Sequence, residues 1–372
     1  MSITRTRTRT FPALLATVVA APLAFAACDG TMDLGESGTA VDAPVSSGTD
    51  ARVLAADAYV PPGLDAGPAP DAHALVETDA SARPDAAGDA ALPDTPCVGE
   101  ALAAIDAVNA RLPEEMHIAF LGVPTGRDLD AERARRGPRL SSLRMIDEIN
   151  TEGPNQIIRG VDADHIGNLH PGTILIDCRI HDGWAVDQPD VVFAHVEITD
   201  PTAGNLLVSR DASDGLVVVN SWFHDSDADC FRPNDNETYL GNFVERLGRG
   251  PDSHADGFQT FLGGRDETVD HVDVLGNIIY MPRGVPIEGG DGTYQTNRTM
   301  LFSADVTDWV VQCNFLVAGN YVVEREEADD IRYLDNVFCD PDECESFGVR
   351  TGTGWTEENW SGNTYIDGSP AP

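Results

Sequence analysis

A short β-rich run closed by a polar turn recurs through the second half of the chain, and it constrains the fold more than any other feature. Val217–Phe223, Val272–Ile279 and Trp309–Leu316 are three examples. Aligned on the turn, eight positions coincide at intervals of 18 to 37 residues: 178, 196, 221, 242, 277, 314, 336 and 363. A single coil of this kind cannot bury its own apolar face, so neighbouring coils must stack to form a core.

Asparagine occupies five of the eight aligned turn positions: 242, 277, 314, 336 and 363. Its side chain can hydrogen-bond the equivalent residue of the next coil, and it tolerates left-handed backbone angles. The pattern therefore predicts a parallel β-solenoid in which these residues form a structural ladder.

Residues 97–150 have a different pattern, which predicts a small N-terminal cap with short helices. Ala101–Val108 has helical composition and period. Leu140–Ile149 places apolar residues three apart and predicts a second short helix.

The start of the chain is typical of an export signal. Residues 1–27 combine three arginines with an apolar run and small residues, and Cys28 follows. Either Cys28 becomes a lipidated N-terminus, or an ordinary signal peptidase uses Ala24–Ala26. Residues 28–96 are rich in Asp, Ala and Pro and predict a disordered acidic tether. We therefore expect an exported protein, anchored in the bacterial envelope by its lipid alone or secreted.

Cysteine usage agrees with export. If Cys28 is lipidated, six cysteines remain, and an oxidising compartment permits up to three disulfides. Cys339 and Cys344 are placed to close a small loop, and we predict that they pair. The other pairings stay open, and no spacing is typical of a zinc site.

The charge of the chain excludes several functions. It has 24 basic residues, all arginine, against 62 acidic ones, and its net charge is −38. Mechanisms that need a lysine are excluded. Nucleic-acid binding is not expected, because phosphate affinity depends on basic patches. From residue 96 onward the net charge is still −30, which repels polyanionic chains at short range and favours a neutral glycan as ligand.

Three segments resemble a known group of proteins: Ser253–Gln259 (Ser-His-Ala-Asp-Gly-Phe-Gln), Gly122–Gly126 and Ile157–Asp162. They are similar to segments of right-handed parallel β-helix proteins in the pectate lyase-like superfamily, and the resemblance covers roughly residues 118 to 345. It implies an all-β, right-handed parallel β-helix of roughly eight coils over residues 151–372, monomeric and preceded by the helical cap. Such a fold hosts many chemistries.

An internal match indicates a candidate site. Asp225–Arg232 aligns with Asp252–Gln259 at an offset of 27 residues, about one coil. Residues one coil apart lie at roughly the 4.8 Å strand spacing. The expected neighbours are Asp225 with Asp252, Asp227 with His254, Asp229 with Asp256, and Phe231 with Phe258.

Strand alternation predicts which side chains face outward. We expect an outward row of Arg232, Gln259 and Glu288, with Ile287 on the inward side. The long segment Tyr280–Thr299 should wall this groove, because long loops on rigid scaffolds often carry function.

Close carboxylates need compensation by a cation, a raised pKa or a neighbouring Arg or His. Ca²⁺ suits several Asp oxygens, which makes Asp229, Asp252 and Asp256 candidate ligands. The resemblance to pectate lyases implies Ca²⁺ ligands among Asp229, Asp256 and Glu288, with Arg232 or Arg283 as base. A hydrolase would instead use two carboxylates as acid and base. The predicted catalytic residues are Arg232, His254, Asp256 and Glu288, and the predicted substrate contacts are Gln259, Arg283 and Tyr294.

Two functions stay open. The first is a polysaccharide lyase or hydrolase that acts through an acidic groove, with Ca²⁺ as its only expected cofactor. The second is a non-catalytic surface module that binds glycan, adheres or is structural, because Asp beside Ser or Gly is also common in turns. Convergence of the predicted residues in one cleft would distinguish them.

Overall fold

The structure is a computed structural model that describes residues 96–200, 205–209, 213–250, 253–260, 268–282, 284–287, 292–302, 306–319, 321–325, 330–339 and 348–372. The predicted signal peptide, Cys28 and the tether up to residue 95 lie outside these ranges. So do Asp252, Arg283, Glu288 and Cys344. Expectations that concern only those residues stay predictions.

Within the described ranges, twenty-six strands, numbered in chain order, form three parallel sheets, here termed A, B and C. Sheet A stacks β1 (Arg144–Asn150), β3 (Val161–Asn168), β5 (Arg179–Ile180), β8 (Glu197–Thr199), β11 (Trp222–Ser226), β14 (Phe243–Leu247), β17 (Ile278–Tyr280), β20 (Phe315–Val317), β23 (Val337–Phe338) and β26 (Thr364–Tyr365). Sheet B stacks β2 (Ile157–Arg159), β4 (Ile174–Ile176), β7 (Val192–Ala194), β10 (Val217–Val219), β13 (Glu237–Leu240), β16 (Val269–Leu275), β19 (Val306–Gln312), β22 (Ile331–Leu334) and β25 (Trp360–Ser361). Sheet C stacks β6 (Trp184–Val186), β9 (Leu207–Ser209), β12 (Phe231–Arg232), β15 (Ala255–Gln259), β18 (Thr296–Phe302), β21 (Tyr321–Arg325) and β24 (Arg350–Gly352).

The chain passes from sheet B to sheet A to sheet C in each coil. In the described part of the chain, seven coils contain all three strands. The predicted right-handed parallel β-helix is confirmed. Its interior is filled by aliphatic and aromatic side chains; Phe231, for example, lies 4.7 Å from both Phe223 and Tyr239 between ring centroids, in edge-on and tilted contacts.

The predicted asparagine ladder is also confirmed, at the turn between sheets B and A. The Asn277 side chain accepts the Asn242 backbone N–H at 2.9 Å, and its own Nδ2 donates to the Tyr239 carbonyl at 2.8 Å. The same bonds recur along the ladder through Asn314 and Asn336 to Asn363. The left-handed angles fall on the residue before each ladder position, as at Asn220 (φ 49°) and Gly241 (φ 64°).

The N-terminal segment covers the outer faces of two sheets. α1 (Pro96–Asn109), which confirms the predicted first helix, packs Ile105 against outward residues of sheet B such as Val192. A 3₁₀ turn (Glu114–Met116) follows. α2 (Leu129–Ala134) then lies over sheet A, where the Arg133 guanidinium is 5.3 Å from the Phe243 ring centre. Among the described helices, none is long and apolar enough to cross a membrane.

The predicted second short helix is wrong. Arg144–Asn150 is strand β1, which pairs in parallel with β3. Apolar residues spaced by three suit either state over so short a run. The free N–H and C=O groups at the edge of β3 favour the strand, and pairing with them buries Ile149.

The disulfides of the described residues stay within the predicted maximum of three. Cys97, at the start of α1, bonds Cys313, 216 residues away. Cys178 and Cys230 are free and buried. Cys339 is also disulfide-bonded, but its predicted partner Cys344 lies outside the described residues, so that pairing stays a prediction.

Replacing Cys97 and Cys313 together by serine should lower the free energy of unfolding by about 2 kcal/mol, because the bond closes a long loop in the unfolded chain. α1 should become more sensitive to protease. Denaturant unfolding of both proteins, with and without reductant, measures this. A difference that persists in reductant would contradict the role of the disulfide.

Candidate functional site

The residues predicted on sheet C are in the expected register. Phe231 pairs with Phe258, their ring centroids 4.7 Å apart, which confirms the offset of one coil. Arg232 and Gln259 follow on the outward side, each half-buried.

The prediction for the next coil is wrong. β18 continues the stack, and it places Met300 opposite Phe258 and Leu301 opposite Gln259. These are the positions that the sequence pattern assigned to Ile287 and Glu288. The strand starts only at Thr296, because the insertion after Tyr280 occupies more chain than the repeat suggested.

Asp229 and Asp256 belong to a second ladder, at the entry to sheet C. The Asn205 side chain accepts the Asp229 N–H at 3.1 Å, and Asp229 Oδ1 accepts the Asp256 N–H at 2.9 Å. Asp256 Oδ1 then accepts the Arg298 N–H at 3.0 Å. Asp229 and Asp256 therefore each accept a backbone N–H from a neighbouring coil, as the asparagines do at the turn between sheets B and A.

Burial and ion pairing keep the carboxyl groups of this ladder from contact with molecules in solvent. Asp256 is 1 % exposed. Burial first, and then the neighbouring Asp229 charge, raise the pKa of Asp256 to about 8, so the carboxyl is mostly protonated at neutral pH. Asp229 uses its other oxygen in an ion pair with Arg232 at 2.8 Å.

Of the predicted catalytic set, Arg232 and Asp256 both contact Asp229, and Glu288 lies outside the described residues. Asp256 is buried and Arg232 is ion-paired. His254 is exposed and makes no hydrogen bond or ion pair within the described part of the chain. No three or more His, Cys, Asp or Glu side chains among the described residues could hold a metal ion. Asp252 lies outside those residues, so Ca²⁺ binding through it stays a prediction.

Sheet C nevertheless presents an ordered outer face. Successive coils place one outward residue above the next, in this order: Val208, Arg232, Gln259, Leu301, Glu324 and Thr351. The Gln259 Oε1 atom is buried and has no hydrogen-bond partner among the described residues. The described N-terminal segment packs on sheets A and B.

A charged cluster that sequence reasoning missed lies on the outer face of sheet A. Asp225 is its centre: it is 2.7 Å from His224 Nδ1 and accepts hydrogen bonds from Arg246 at 2.8 Å and from Tyr294 at 2.6 Å. His224 also contacts Glu197 at 3.2 Å. Left-handed backbone at Asp225 (φ 58°) and Arg246 (φ 53°) interrupts strand alternation in adjacent coils.

The cluster holds its carboxylates ionised. Burial alone would raise the pKa of Asp225, but its bonds to His224, Tyr294 and Arg246 hold that pKa well below the usual value. The pKa of Glu197 is lowered in the same way, against burial, by His224 and Arg179. Burial would lower the pKa of His224, but Asp225 and Glu197 raise it.

Two cavities flank Arg133 on this face. The larger, about 380 Å³, lies between the α2 region and sheet A, with Trp222 and Arg179 in its lining. The smaller, about 210 Å³, is walled by Tyr280, Val285 and Tyr294. The segment Tyr280–Thr299, predicted to wall the groove, thus lines a cavity over sheet A rather than a groove beside Arg232. It contains Tyr294, a predicted substrate contact that lies among the described residues.

Part of this site had a signal in the sequence. His224-Asp225 and Glu245-Arg246 are adjacent charged pairs at equivalent positions of successive coils, where alternation would bury one member. The contribution of α2 had no signal in the sequence, because Arg133 bonds Glu245, which lies 112 residues further along the chain.

No family model matches the chain, and neither a curated protein nor a solved structure matches it. The β-helix therefore rests on the three parallel sheets. The pectate lyase-like assignment rests on the short similar segments alone.

Proposed function

We propose that this protein is an exported, non-catalytic module that binds a neutral polysaccharide along the outer face of sheet C. The row from Val208 to Thr351 carries the proposal. Its side chains repeat at about the 4.8 Å strand spacing, so an extended chain lying along the helix axis meets one coil after another. Gln259 lies within this row and is half-buried, so the exposed part of its side chain can meet a sugar hydroxyl.

The acid–base arrangement argues against catalysis. Glycoside hydrolysis needs two carboxyl groups whose environments push their pKa values apart. On sheet A both Glu197 and Asp225 have lowered pKa values. On sheet C the raised pKa belongs to Asp256, whose carboxyl is buried in the ladder.

Charge and disulfides support the remaining parts of the proposal. A net charge of −38 disfavours polyanionic ligands and leaves neutral glycans as the suitable class. The Cys97–Cys313 bond agrees with folding in an oxidising compartment outside the cytoplasm.

Gln259→Ala should weaken binding of a neutral polysaccharide about tenfold, the effect of roughly one buried hydrogen bond. Gln188→Ala is the matched control, because it removes a half-buried surface glutamine outside the row. Affinity electrophoresis against a panel of neutral polysaccharides measures the binding.

The same panel tests catalysis. We expect neither new reducing ends nor ultraviolet absorbance from unsaturated uronyl ends, with Ca²⁺ or with chelator. Unsaturated product that disappears with chelator would establish a Ca²⁺-dependent lyase, and reducing ends without unsaturation a hydrolase. Absence of binding across the panel would leave a structural module.

A further inference from the structure

We propose a second ligand site, independent of sheet C, in the cavity of about 380 Å³ between the α2 region and sheet A. Its ligand is a single carboxylate-bearing sugar, that is, a sugar acid. The proposal rests on the hydrogen-bonding capacity of the lining, on its charge balance and on its size.

The acceptors of the sheet A wall are already occupied. Asp162 contacts His181 at 2.7 Å with one oxygen and Arg179 at 3.2 Å with the other. Glu197 contacts Arg179 at 2.9 Å and His224 at 3.2 Å in the same manner. A ligand that donates hydrogen bonds therefore finds few free acceptors there.

Two guanidinium groups in the lining have an Nη2 atom without a hydrogen-bond acceptor among the described residues. Arg179 uses Nε and Nη1 in these bonds, and its Nη2 makes none within the described part of the chain. Arg136 has a fully buried side chain that donates from Nε to the Gly241 carbonyl and from Nη1 to Glu132. Its Nη2 is buried without a partner among the described residues. Spare guanidinium N–H groups suit a carboxylate, which accepts two hydrogen bonds at once.

The cavity does not share the acidity of the chain. Its lining contains three guanidinium groups and three carboxylates: Arg133, Arg136, Arg179, Asp130, Asp162 and Glu197. The charges of the lining residues therefore sum to zero, although Glu132 and Glu245 contact Arg136 and Arg133 from outside the lining and the whole chain carries −38.

The size and the apolar lining favour one sugar ring. About 380 Å³ lies near the lower end of ligand pockets, too little for a long chain. Leu143 and Leu140 line the cavity and offer apolar surface to the ring carbons of a sugar. Trp222 also lines it, but its ring stacks on His224 at 3.8 Å between centroids, and its N–H is donated to Glu245 at 3.0 Å.

The test is calorimetric titration of the whole exported protein with glucuronate and, separately, glucose. Glucuronate should bind saturably with a Kd on the order of 1 mM, and glucose at least tenfold more weakly. Ser141→Trp should weaken glucuronate binding at least tenfold, because exposed Ser141 lines the cavity. Ser142→Trp is the matched control: the adjacent serine is exposed but outside the lining, and binding should not change.

Three results would overturn the proposal. Equal binding of glucose would show that the spare donors do not select a carboxylate. Glucuronate binding that survives Ser141→Trp would place the ligand elsewhere. Absence of saturable binding to the wild type would remove the site. Gln259→Ala should leave glucuronate binding unchanged, so this site and the sheet C function fail or succeed separately.

Discussion

Replacing Asn277 by alanine should lower the free energy of unfolding by about 4 kcal/mol. Asn277 is 1 % exposed. Its side-chain oxygen accepts from the Asn242 N–H at 2.9 Å and from Asn242 Nδ2 at 3.0 Å, and its Nδ2 donates to the Tyr239 carbonyl at 2.8 Å. Alanine leaves these buried groups without partners and opens a small void between coils.

The end of the ladder provides the matched comparison. Asn363 makes the same three bonds, with Asn336 and Tyr333, but among the described residues it has no counterpart of the bond that Asn277 Nδ2 donates to Asn314 Oδ1, so Asn363→Ala should cost about 1 kcal/mol less. Denaturant unfolding measures both, with hydrogen exchange resolving single coils, because stacked repeats need not unfold as one unit. Equal losses at the two positions, or a loss below about 1 kcal/mol at Asn277, would contradict a cooperative ladder.

The fold was predictable because the repeat places the same chemistry at the same point of each coil. Five asparagines in register identify the turn, and the sequence offset of 27 residues alone places Phe231 over Phe258. Regions outside the repeat offer no such comparison. The ten residues Leu140–Ile149, with apolar residues three apart, predict a helix but end in strand β1, because so short a pattern does not distinguish the two states without a partner strand.

The site was less predictable, for two physical reasons. Asp229 and Asp256 match a cluster of acids in sequence, yet in space each completes a ladder that Asn205 begins. A carboxyl that takes the place of an amide in such a ladder can be recognised only when its backbone neighbours in space are known. The sheet A cavities, in turn, depend on Arg133 meeting Glu245, a contact between distant segments that no local pattern encodes.

The substitution of acid for amide in the sheet C ladder has a pH-dependent cost. The pKa of Asp256 in the folded protein, about 8, is above its ordinary value of 3.8. The folded state therefore binds the proton more tightly than the unfolded state. The contribution of protonated Asp256 to the free energy of unfolding is fully present below about pH 4 and is lost as the pH rises through about 8.

Asp256→Asn should therefore change stability in a direction that depends on pH. Asparagine supplies the same Oδ1 acceptor to Arg298 and never ionises, so the variant should match the wild type within about 1 kcal/mol at pH 5. At pH 9 the variant should be more stable than the wild type. Between pH 5 and pH 9 the difference between their free energies of unfolding should change by about 4 kcal/mol. Buried Glu237, whose pKa burial raises to about 8, and buried His195, whose pKa burial lowers to about 3, are unchanged in the variant and cancel in the comparison.

Asp229→Asn separates this effect from a general preference for amides in the ladder. Asp229 is ion-paired with Arg232 at 2.8 Å, so its replacement should destabilise the protein at pH 5. At pH 9 this loss should be smaller, because the Asp229 charge no longer opposes the ionisation of Asp256. Denaturant unfolding at both pH values measures all three proteins. If the difference between Asp256→Asn and the wild type did not change with pH, Asp256 would be ionised in the folded state. Its carboxylate would then carry a charge beneath the face on which we place polysaccharide binding, and Asp256 would return as a candidate for acid–base chemistry there.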